Sequence, residues 1–371
     1  MSIQKKIGFA TAYSSPILII VSFYIDGAFW AFLPAIYAYC FVPILDEVIG
    51  KDAQNVQKEE FEGLIKEKYF DFLVFSHVWI HLFILAFVGY QLSNNSFSLI
   101  QICGFVLSQG IYAASIINVA HELGHRNSSV AHWHSKIALM SVCYAHFLVE
   151  HNRGHHVHVA TPGDPATSKR NQTVYAFWKQ TLIGSFASAW KIESKLIEKK
   201  GLKKWSLKNE VIQGIIGSIC IVSLLFVGIS FFRNELSFFV FLHFFAQSLI
   251  AVLTLECVNY IEHYGILRRE LSPGKYEKVN PLHSWNANHF YSNLMLFHLQ
   301  RHSDHHAYAS RPYQVLRHFD ESPQLPFGYP VMILMSLFPS LWFKVMNKKL
   351  DTWKSQAYDS DHIKNIVKQF V

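Results

Sequence analysis

Nine of the 21 histidines in this 371-residue chain fall into four short clusters, and imidazole is a good ligand for iron, copper, zinc and nickel. In chain order the clusters read HELGH, EHNRGHH, NYIEHYG and LQRHSDHH. Their histidines are His121 and His125, then His151, His155 and His156, then His263, and finally His302, His305 and His306. One catalytic zinc takes about three protein ligands and would leave the other histidines without a role. Two metal ions with four or five ligands each would use all nine.

The spacing inside the clusters predicts how their side chains face a metal. The first cluster contains two histidines four residues apart, and residues four apart share one face of a helix. On a helix, His151 and His155 would likewise face the same way, and His156 would lie about 100° further round. The fourth cluster, with its spacing of i, i+3 and i+4, would form one helix face wide enough to reach both metals.

Five carboxylates stand beside these histidines and are candidates to accept the second ring N–H of a ligand imidazole. They are Glu122, Glu150, Asp164, Glu262 and Asp304. Each of them could instead be an ordinary charge on a helix surface. If the first cluster were the HExxH motif of a zinc protease, Glu122 would be its general base and a single zinc would suffice.

The composition indicates an all-α integral membrane protein. Hydrophobic residues make up 51% of the chain and charged residues only 16%, whereas soluble proteins carry about 25%. Six apolar runs come close to the ~20 residues that a helix needs to cross a bilayer. They cover residues 7–25, 28–45, 72–90, 97–120, 211–232 and 237–258. The sequence therefore predicts one domain over residues 1–371, built as a six-transmembrane-helix bundle.

Lysine and arginine predict the orientation of this bundle. The short turns that follow the first, third and fifth runs carry almost none, whereas the other connections are rich in them. The positive-inside rule then places both termini in the cytoplasm and the protein in the inner membrane. All four clusters fall in cytoplasmic regions, 121–209 and 259–371. The net charge of +7 is explained by this topology, and no basic stripe for nucleic acid is present. A metal transporter would need its ligands inside the spans, which disfavours that alternative.

Two shorter apolar stretches and three isolated histidines have structural interpretations. Residues 137–149 are predicted to form a buried or re-entrant helix, and residues 327–345 an interfacial helix. His77, His81 and His243 lie inside predicted spans and are expected to form hydrogen bonds between helices.

The position of the predicted site beside the bilayer indicates which metal it binds. Zinc has no redox chemistry, and a hydrolase would have to bring water to a site against the bilayer. A pair of irons at the mouth of a membrane bundle could activate dioxygen against a substrate that dissolves in lipid. The chain contains no CxxC pair and no nicotinamide or flavin fingerprint, so it must take electrons from another protein at its surface. Its basic face, which includes Arg153, Arg268, Arg269 and Arg301, is predicted to steer an acidic donor.

The four clusters, in this order, closely resemble the membrane-bound alkane 1-monooxygenases, as do the flanking stretches VATPGDPATS and HSWNANH. The resemblance extends from Pro43 to Pro339. It implies a cytoplasmic histidine-rich non-haem di-iron site with the nine clustered histidines as ligands and O2 as co-substrate. It also implies terminal hydroxylation of n-alkanes to primary alcohols, the first step of alkane degradation, with electrons from a separate rubredoxin and its rubredoxin reductase. A membrane fatty acid desaturase or a related lipid hydroxylase shares the general histidine boxes and is the alternative.

The same resemblance implies a determinant of substrate length. In that family, bulk on the second span, five residues before the proline of a Pro-x-Leu-Asp motif, closes the far end of the substrate channel. Here the motif occupies residues 43–46 and the position is Ala38, which predicts room for longer alkanes. Tyr37 and Tyr39 would point about 100° to each side on a helix. Alternatively, Ala38 packs against a neighbouring helix, as small residues in membrane spans do.

Overall fold

The computed structural model describes residues 1–356 and 359–368, and these are mostly helical. The α-helices are α1 (Ile3–Gly8), α2 (Ser14–Ser22), α3 (Leu33–Ile36), α4 (Val42–Ile49), α5 (Lys58–Lys66), α6 (Lys68–Asn94), α7 (Leu99–Gly124), α8 (Ser129–Met140), α9 (His146–Glu150), α10 (His156–His158), α11 (Val174–Lys199), α12 (Glu210–Arg233), α13 (Phe239–His263), α14 (Phe290–Met295), α15 (His302–Ala307), α16 (Tyr329–Ser336), α17 (Pro339–Ser355) and α18 (Ser360–Lys368). Short 3-10 helices cover Phe9–Tyr13, Ala28–Phe32 and Tyr313–Val315, and π-helices cover Tyr37–Phe41 and His151–His155. One small antiparallel hairpin pairs β1 (Glu270–Ser272) with β2 (Lys275–Tyr276). The predicted domain and the second predicted catalytic region both end at residue 371. Residues 357–358 and 369–371 of these predictions lie outside the described residues.

Five helical segments in the described part of the chain are long and apolar enough to cross a membrane. They are Ala28–Ile49, Lys68–Asn94, Leu99–Gly124, Glu210–Arg233 and Phe239–His263. These segments agree with five of the six predicted runs and confirm a helical membrane protein. The run predicted over residues 7–25 folds as the end of α1, a 3-10 turn and α2, and the nine residues of α2 are too few to span a bilayer alone. A sixth span therefore stays a prediction.

Helices α7 and α13 form the centre of the bundle, and α12 lies at its edge. The apolar window of α7 is 61% buried, whereas that of α12 is only 17% buried, which leaves most of α12 facing lipid. Gly110 allows the central helices to approach closely, because a Cβ atom there would lie 2.5 Å from the Cβ of Ile250 on α13. Helix α7 begins with a capping box, in which Ser98 and Gln101 each satisfy the other's backbone N–H.

Two predicted helices are each divided in two, and both divisions have a local cause. In residues 137–149, α8 ends at Met140 and α9 begins only at His146, with Cys143 at a φ of 54° in the turn between them. A left-handed residue cannot continue an α-helix. In residues 327–345, α16 ends at Ser336 and Pro339 begins α17, because proline lacks the N–H that a continuous helix would need.

The three isolated histidines differ from one another. Nε2 of His243 donates a 2.7 Å hydrogen bond to Oε1 of Gln109, which joins α13 to α7 and confirms its predicted role. His77 lies 2.7 Å from the carbonyl oxygen of Leu73 in its own helix and stacks on Tyr13 of the neighbouring 3-10 helix, so its interhelical hydrogen bond stays a prediction. Neither ring nitrogen of His81 has a hydrogen-bond partner within the described residues.

Candidate metal centre

The nine clustered histidines meet at one end of the bundle and divide into two groups. The ligand atoms of each group lie within 4.8 Å of one another. The five-histidine group consists of His121, His125, His151, His156 and His305, and the four-histidine group consists of His155, His263, His302 and His306. Five and four donors are the numbers that two metal ions sharing nine ligands would require.

The ring nitrogens in both groups point at one another. In the five-histidine group, Nε2 of His305 lies 2.8 Å from Nε2 of His121 and 3.2 Å from Nε2 of His156. In the four-histidine group, Nε2 of His306 lies 2.8 Å from Nε2 of His302, and both nitrogens of His263 lack a hydrogen-bond partner in the described residues. Several lone-pair nitrogens converging on one point, with some left unpartnered, fit a bound cation better than a hydrogen-bonded network.

The second cluster reaches both groups because it is not an α-helix. His151–His155 is a π-helix, and its wider turn brings residues five apart close to the same side as residues four apart. His151 and His156 therefore share a face, with 3.0 Å between their Nε2 atoms, and belong to the five-histidine group. His155 turns toward the four-histidine group. As predicted, the rings of His151 and His155 lie side by side, with centroids 5.2 Å apart, but the two histidines enter different groups.

The fourth cluster also serves both groups, as its spacing predicted. It forms the short helix α15, on which His302 and His306 are four residues apart and enter the four-histidine group. His305, between them, enters the five-histidine group. Helices α7 and α13 end at the same level and present the first and third clusters.

Burial keeps most of these imidazoles in the neutral form that binds metals. It lowers the pKa of His125 to about 3. Burial, and after it repulsion between neighbouring imidazoles, also lowers the pKa values of His151, His156, His302, His305 and His306. His155 is different, because burial lowers its pKa but the charge and hydrogen bond of Asp164 outweigh burial and leave it raised.

Two of the five candidate carboxylates contact imidazoles. Oδ2 of Asp164 lies 2.9 Å from Nδ1 of His155 and accepts a 2.6 Å hydrogen bond from the hydroxyl of Thr167. This is the geometry in which a carboxylate orients an imidazole whose other nitrogen binds metal. Glu262 lies 3.1 Å from Nε2 of His302 and accepts a 2.7 Å hydrogen bond from the hydroxyl of Tyr329.

The other three carboxylates have different surroundings. Glu122 pairs with Arg126 at 3.2 Å, and Asp304 pairs with Arg317 at 2.8 Å. Oε1 of Glu150 is buried without a hydrogen-bond partner among the described residues. Gly154 makes room for it, because a Cβ atom on Gly154 would lie only 2.6 Å from that oxygen.

An apolar cavity leads from the bundle interior to the histidines. It is partly open, has a volume of about 90 Å³, and its walls include Ile111, Leu255 and Ala38. A much smaller space, of about 10 Å³, borders His121, His302 and His305. Both spaces are lined by Asn118 and Leu299, which therefore mark the junction between them.

The cavity corrects one prediction and adds residues that the motifs did not reveal. Tyr39 lines the cavity beside Ala38 instead of pointing away, because Tyr37–Phe41 is a π-helix with less rotation per residue. Asn118 lies one helical turn before His121, a spacing that could have identified it from the sequence. Leu299 and Tyr329 come from segments whose approach to the site depends on tertiary folding.

Comparison with known proteins gives consistent matches over most of the chain. The family model described as fatty acid desaturase matches residues 96–335. Alkane 1-monooxygenase 2 of Alcanivorax borkumensis is 41% identical, with 89% of this chain and 85% of the relative covered. The alkane 1-monooxygenases of Pseudomonas putida and Acinetobacter baylyi are each 39% identical, with 88% and 90% of this chain and 79% and 81% of the relatives covered.

Proposed function

Because this chain belongs to the alkane 1-monooxygenase family, we propose that it hydroxylates the terminal carbon of n-alkanes to primary alcohols at its nine-histidine centre. The observation that supports this most directly is the apolar cavity that adjoins the histidines through Asn118 and Leu299. A linear alkane has no polar group, so it must be selected by an apolar channel of limited width. Such a channel presents the end of the chain, and not its middle, to the reacting centre.

The metals are proposed to be two non-haem irons, held by the five-histidine and the four-histidine group. Neutral imidazoles in these numbers suit iron, and their buried, mutually facing nitrogens support the assignment. When bound, two irons would supply the redox chemistry for inserting one oxygen atom of O2 into the terminal C–H bond, while the other oxygen atom would leave as water with two electrons from the donor and two protons.

Carboxylates are proposed to hold the imidazoles in place. Asp164 accepts the Nδ1–H of His155 and so leaves Nε2 free to bind metal. Glu262 is positioned by Tyr329 and lies against Nε2 of His302, the nitrogen that faces His306, so it borders the proposed metal position itself. Glu122, Glu150 and Asp304 are proposed to act less directly, through the helices that carry the ligands, since the first and last are paired with arginines.

The far end of the cavity is proposed to measure the length of the substrate. Ala38 and Ile111 line the cavity, and Ile111 lies ten residues before His121 on α7, or about 15 Å along the helix. A methyl group at Ala38 leaves this depth open to longer alkanes. The cavity walls exclude water, so a chain that fills the space gains most from burial of its apolar surface.

The electron donor is proposed to be a separate rubredoxin, reduced by a rubredoxin reductase. Arg269 is exposed, and Arg268 donates a hydrogen bond to the carbonyl oxygen of Val157, next to His156. Arg153 is half-exposed but already paired with Glu193 and Glu210. Arg301 is only 1% exposed and donates to the carbonyl oxygen of Leu316, so the prediction that it belongs to the docking face is wrong.

The chain is proposed to be a single domain of the inner membrane, with both termini and the histidine end in the cytoplasm. This placement rests on the positive-inside rule and brings the histidine end to the compartment of the donor.

The decisive experiment uses 18O2 with the purified protein, rubredoxin, rubredoxin reductase and either octane or hexadecane. We expect a primary alcohol that carries 18O, and about two irons per chain with little zinc by elemental analysis. The His305→Ala variant is the inactive control. An unsaturated product without 18O would establish the desaturase alternative, and activity with one zinc per chain would exclude the di-iron proposal.

A further inference from the structure

A lysine-rich segment precedes the lipid-facing helix α12, outside the residues used for catalysis. It covers residues 199–208 and will be called the lysine segment. Its lysines are Lys199, Lys200, Lys203, Lys204 and Lys208, and all of them are exposed. Trp205 and Leu207 stand between them and are 69% and 70% exposed. A basic segment with exposed apolar side chains is typical of a surface that lies against lipid headgroups.

The charge of this segment is not neutralised by the protein. Glu210 and Glu193, the nearest buried or half-buried carboxylates along the chain, are already paired with Lys136 and Arg153. Glu198 is exposed and adds one negative charge beside the segment. Throughout residues 1–356 and 359–368, no carboxylate forms an ion pair with any of the five lysines. The segment therefore presents an excess of positive charge to an outside anion.

An apolar slot begins directly below this segment. It runs along the first half of α12 between Val211 and Val222, which are eleven residues or about 16 Å apart. The opposite walls include Phe186 of α11 and Phe244 of α13, and the slot is partly open with a volume of about 250 Å³. It shares no lining residue with the cavity that adjoins the histidines. The slot is therefore a separate site.

We propose that the lysine segment and this slot together bind one anionic phospholipid. The phosphate lies among the lysines, and one acyl chain fills the slot. Lys208 is three residues before Val211, so the charged and apolar parts are at most about 10 Å apart along the chain. A phospholipid has the same arrangement of an anionic head joined directly to a long apolar chain. An acidic protein would match the lysines but would leave the slot without an occupant.

The position of this lipid also connects it to the metal centre. Glu210 begins α12 and pairs with Arg153, which lies in the π-helix between two of the clustered histidines. A lipid that holds the start of α12 therefore stabilises the segment on which the second histidine cluster depends.

The test measures lipid binding to the full-length protein in detergent by native mass spectrometry. The probes are phosphatidylglycerol and phosphatidylcholine with identical 18-carbon chains. We expect one phosphatidylglycerol to be retained per chain and phosphatidylcholine to bind much more weakly. Inorganic phosphate at millimolar concentration should not displace the lipid. Equal binding of both lipids, or displacement by phosphate alone, would overturn the proposal.

Two pairs of variants test the two halves of the site. Combined replacement of Lys203, Lys204 and Lys208 by glutamine should weaken phosphatidylglycerol binding about 100-fold, since three charges near the anionic lipid are lost. The control replaces Lys344, Lys348 and Lys349, three exposed lysines of α17, and should bind normally. An unchanged affinity in the first variant, or a higher KM for the electron donor instead, would show that the segment serves another partner and contradict the proposal.

For the slot, Ile219→Trp should exclude the acyl chain, because Ile219 lines the slot and is 58% exposed, so a larger side chain is tolerated. Leu224→Trp is the matched control, on the same helix, 72% exposed and outside the slot. We expect only Ile219→Trp to lose selectivity for long-chain over six-carbon phosphatidylglycerol. The same selectivity in both variants would exclude the slot as the acyl site.

Discussion

The five-histidine and four-histidine groups are built from the same side chain but are held in different ways. His125 and His156 of the first group are partly exposed, whereas all four members of the second group are buried. The second group contacts two buried carboxylates, Asp164 and Glu262. We propose that the first group, nearer the surface, receives electrons, whereas the second group is buried and has His155 oriented by Asp164.

The largest expected effect comes from removing a ligand of either group. His305→Ala and His155→Ala should each abolish alkane hydroxylation, because each deletes a donor that the other histidines cannot replace. Iron analysis of both variants should show a loss of metal as well as of activity. His132→Ala is the control, since His132 is exposed and belongs to neither group. Full activity in either ligand variant would remove that histidine from the proposed set.

A smaller effect is expected from the carboxylates, and it should distinguish the groups. Asp164→Asn should lower iron affinity by about 10- to 100-fold, the usual cost of losing a partner that orients a ligand. Glu262→Gln should weaken the same iron, because Glu262 lies against the Nε2 atom of His302 that faces His306. Chelator titration followed by metal analysis should show one iron lost early and one retained. Glu198→Gln is the control, because the side chain of Glu198 is exposed, and it should leave both irons in place. Equal loss of both irons in the carboxylate variants would contradict the difference between the groups.

The cavity predicts that substrate length can be changed without disturbing either group. Ala38→Trp should lower activity on hexadecane about tenfold or more, within the range for steric discrimination in an apolar pocket. Activity on octane should stay nearly unchanged, because a short chain does not reach that depth. The matched control is Cys40→Trp, since Cys40 is exposed on the same π-helix and does not line the cavity. A uniform loss of protein yield and of both activities would show that Ala38 only packs against a neighbouring helix.

The smallest expected effect concerns electron entry beside the partly exposed group. Arg269→Gln should lower turnover a few-fold when rubredoxin is limiting and salt is low, because a charge at the edge of an interface affects mainly the association rate. Added salt should remove the difference between variant and wild type. Arg170→Gln is the control, as Arg170 is half-exposed and paired with Asp351 elsewhere on the surface. A change in kcat at saturating donor would point to a structural role for Arg269 instead.

Local sequence patterns were enough to identify the membrane helices and the clustered histidines. Twenty apolar residues in succession have few alternatives to a membrane span, so five of the six predicted runs agree with the helices found. The first predicted run, residues 7–25, differs from the others, because Pro16 and the 3-10 turn before it divide the segment into short helices. The residues next to Arg301 in the sequence do not distinguish it from a surface arginine. Its burial depends on the backbone carbonyl of Leu316, which comes beside it only in the folded chain.

The sequence by itself determined which side chains can bind metal, because residue types and their clustering are local properties of the chain. Only the tertiary structure decided how those side chains are shared between two groups. His151 and His156 join one group and His155 the other, and the segment that carries them is a π-helix. In this segment the buried side chain of Glu150 packs against Gly154, where a Cβ atom would collide with it. The pairing of Asp164 with His155, and the meeting of Asn118 with Leu299 below the histidines, likewise depend on contacts between segments distant in the chain.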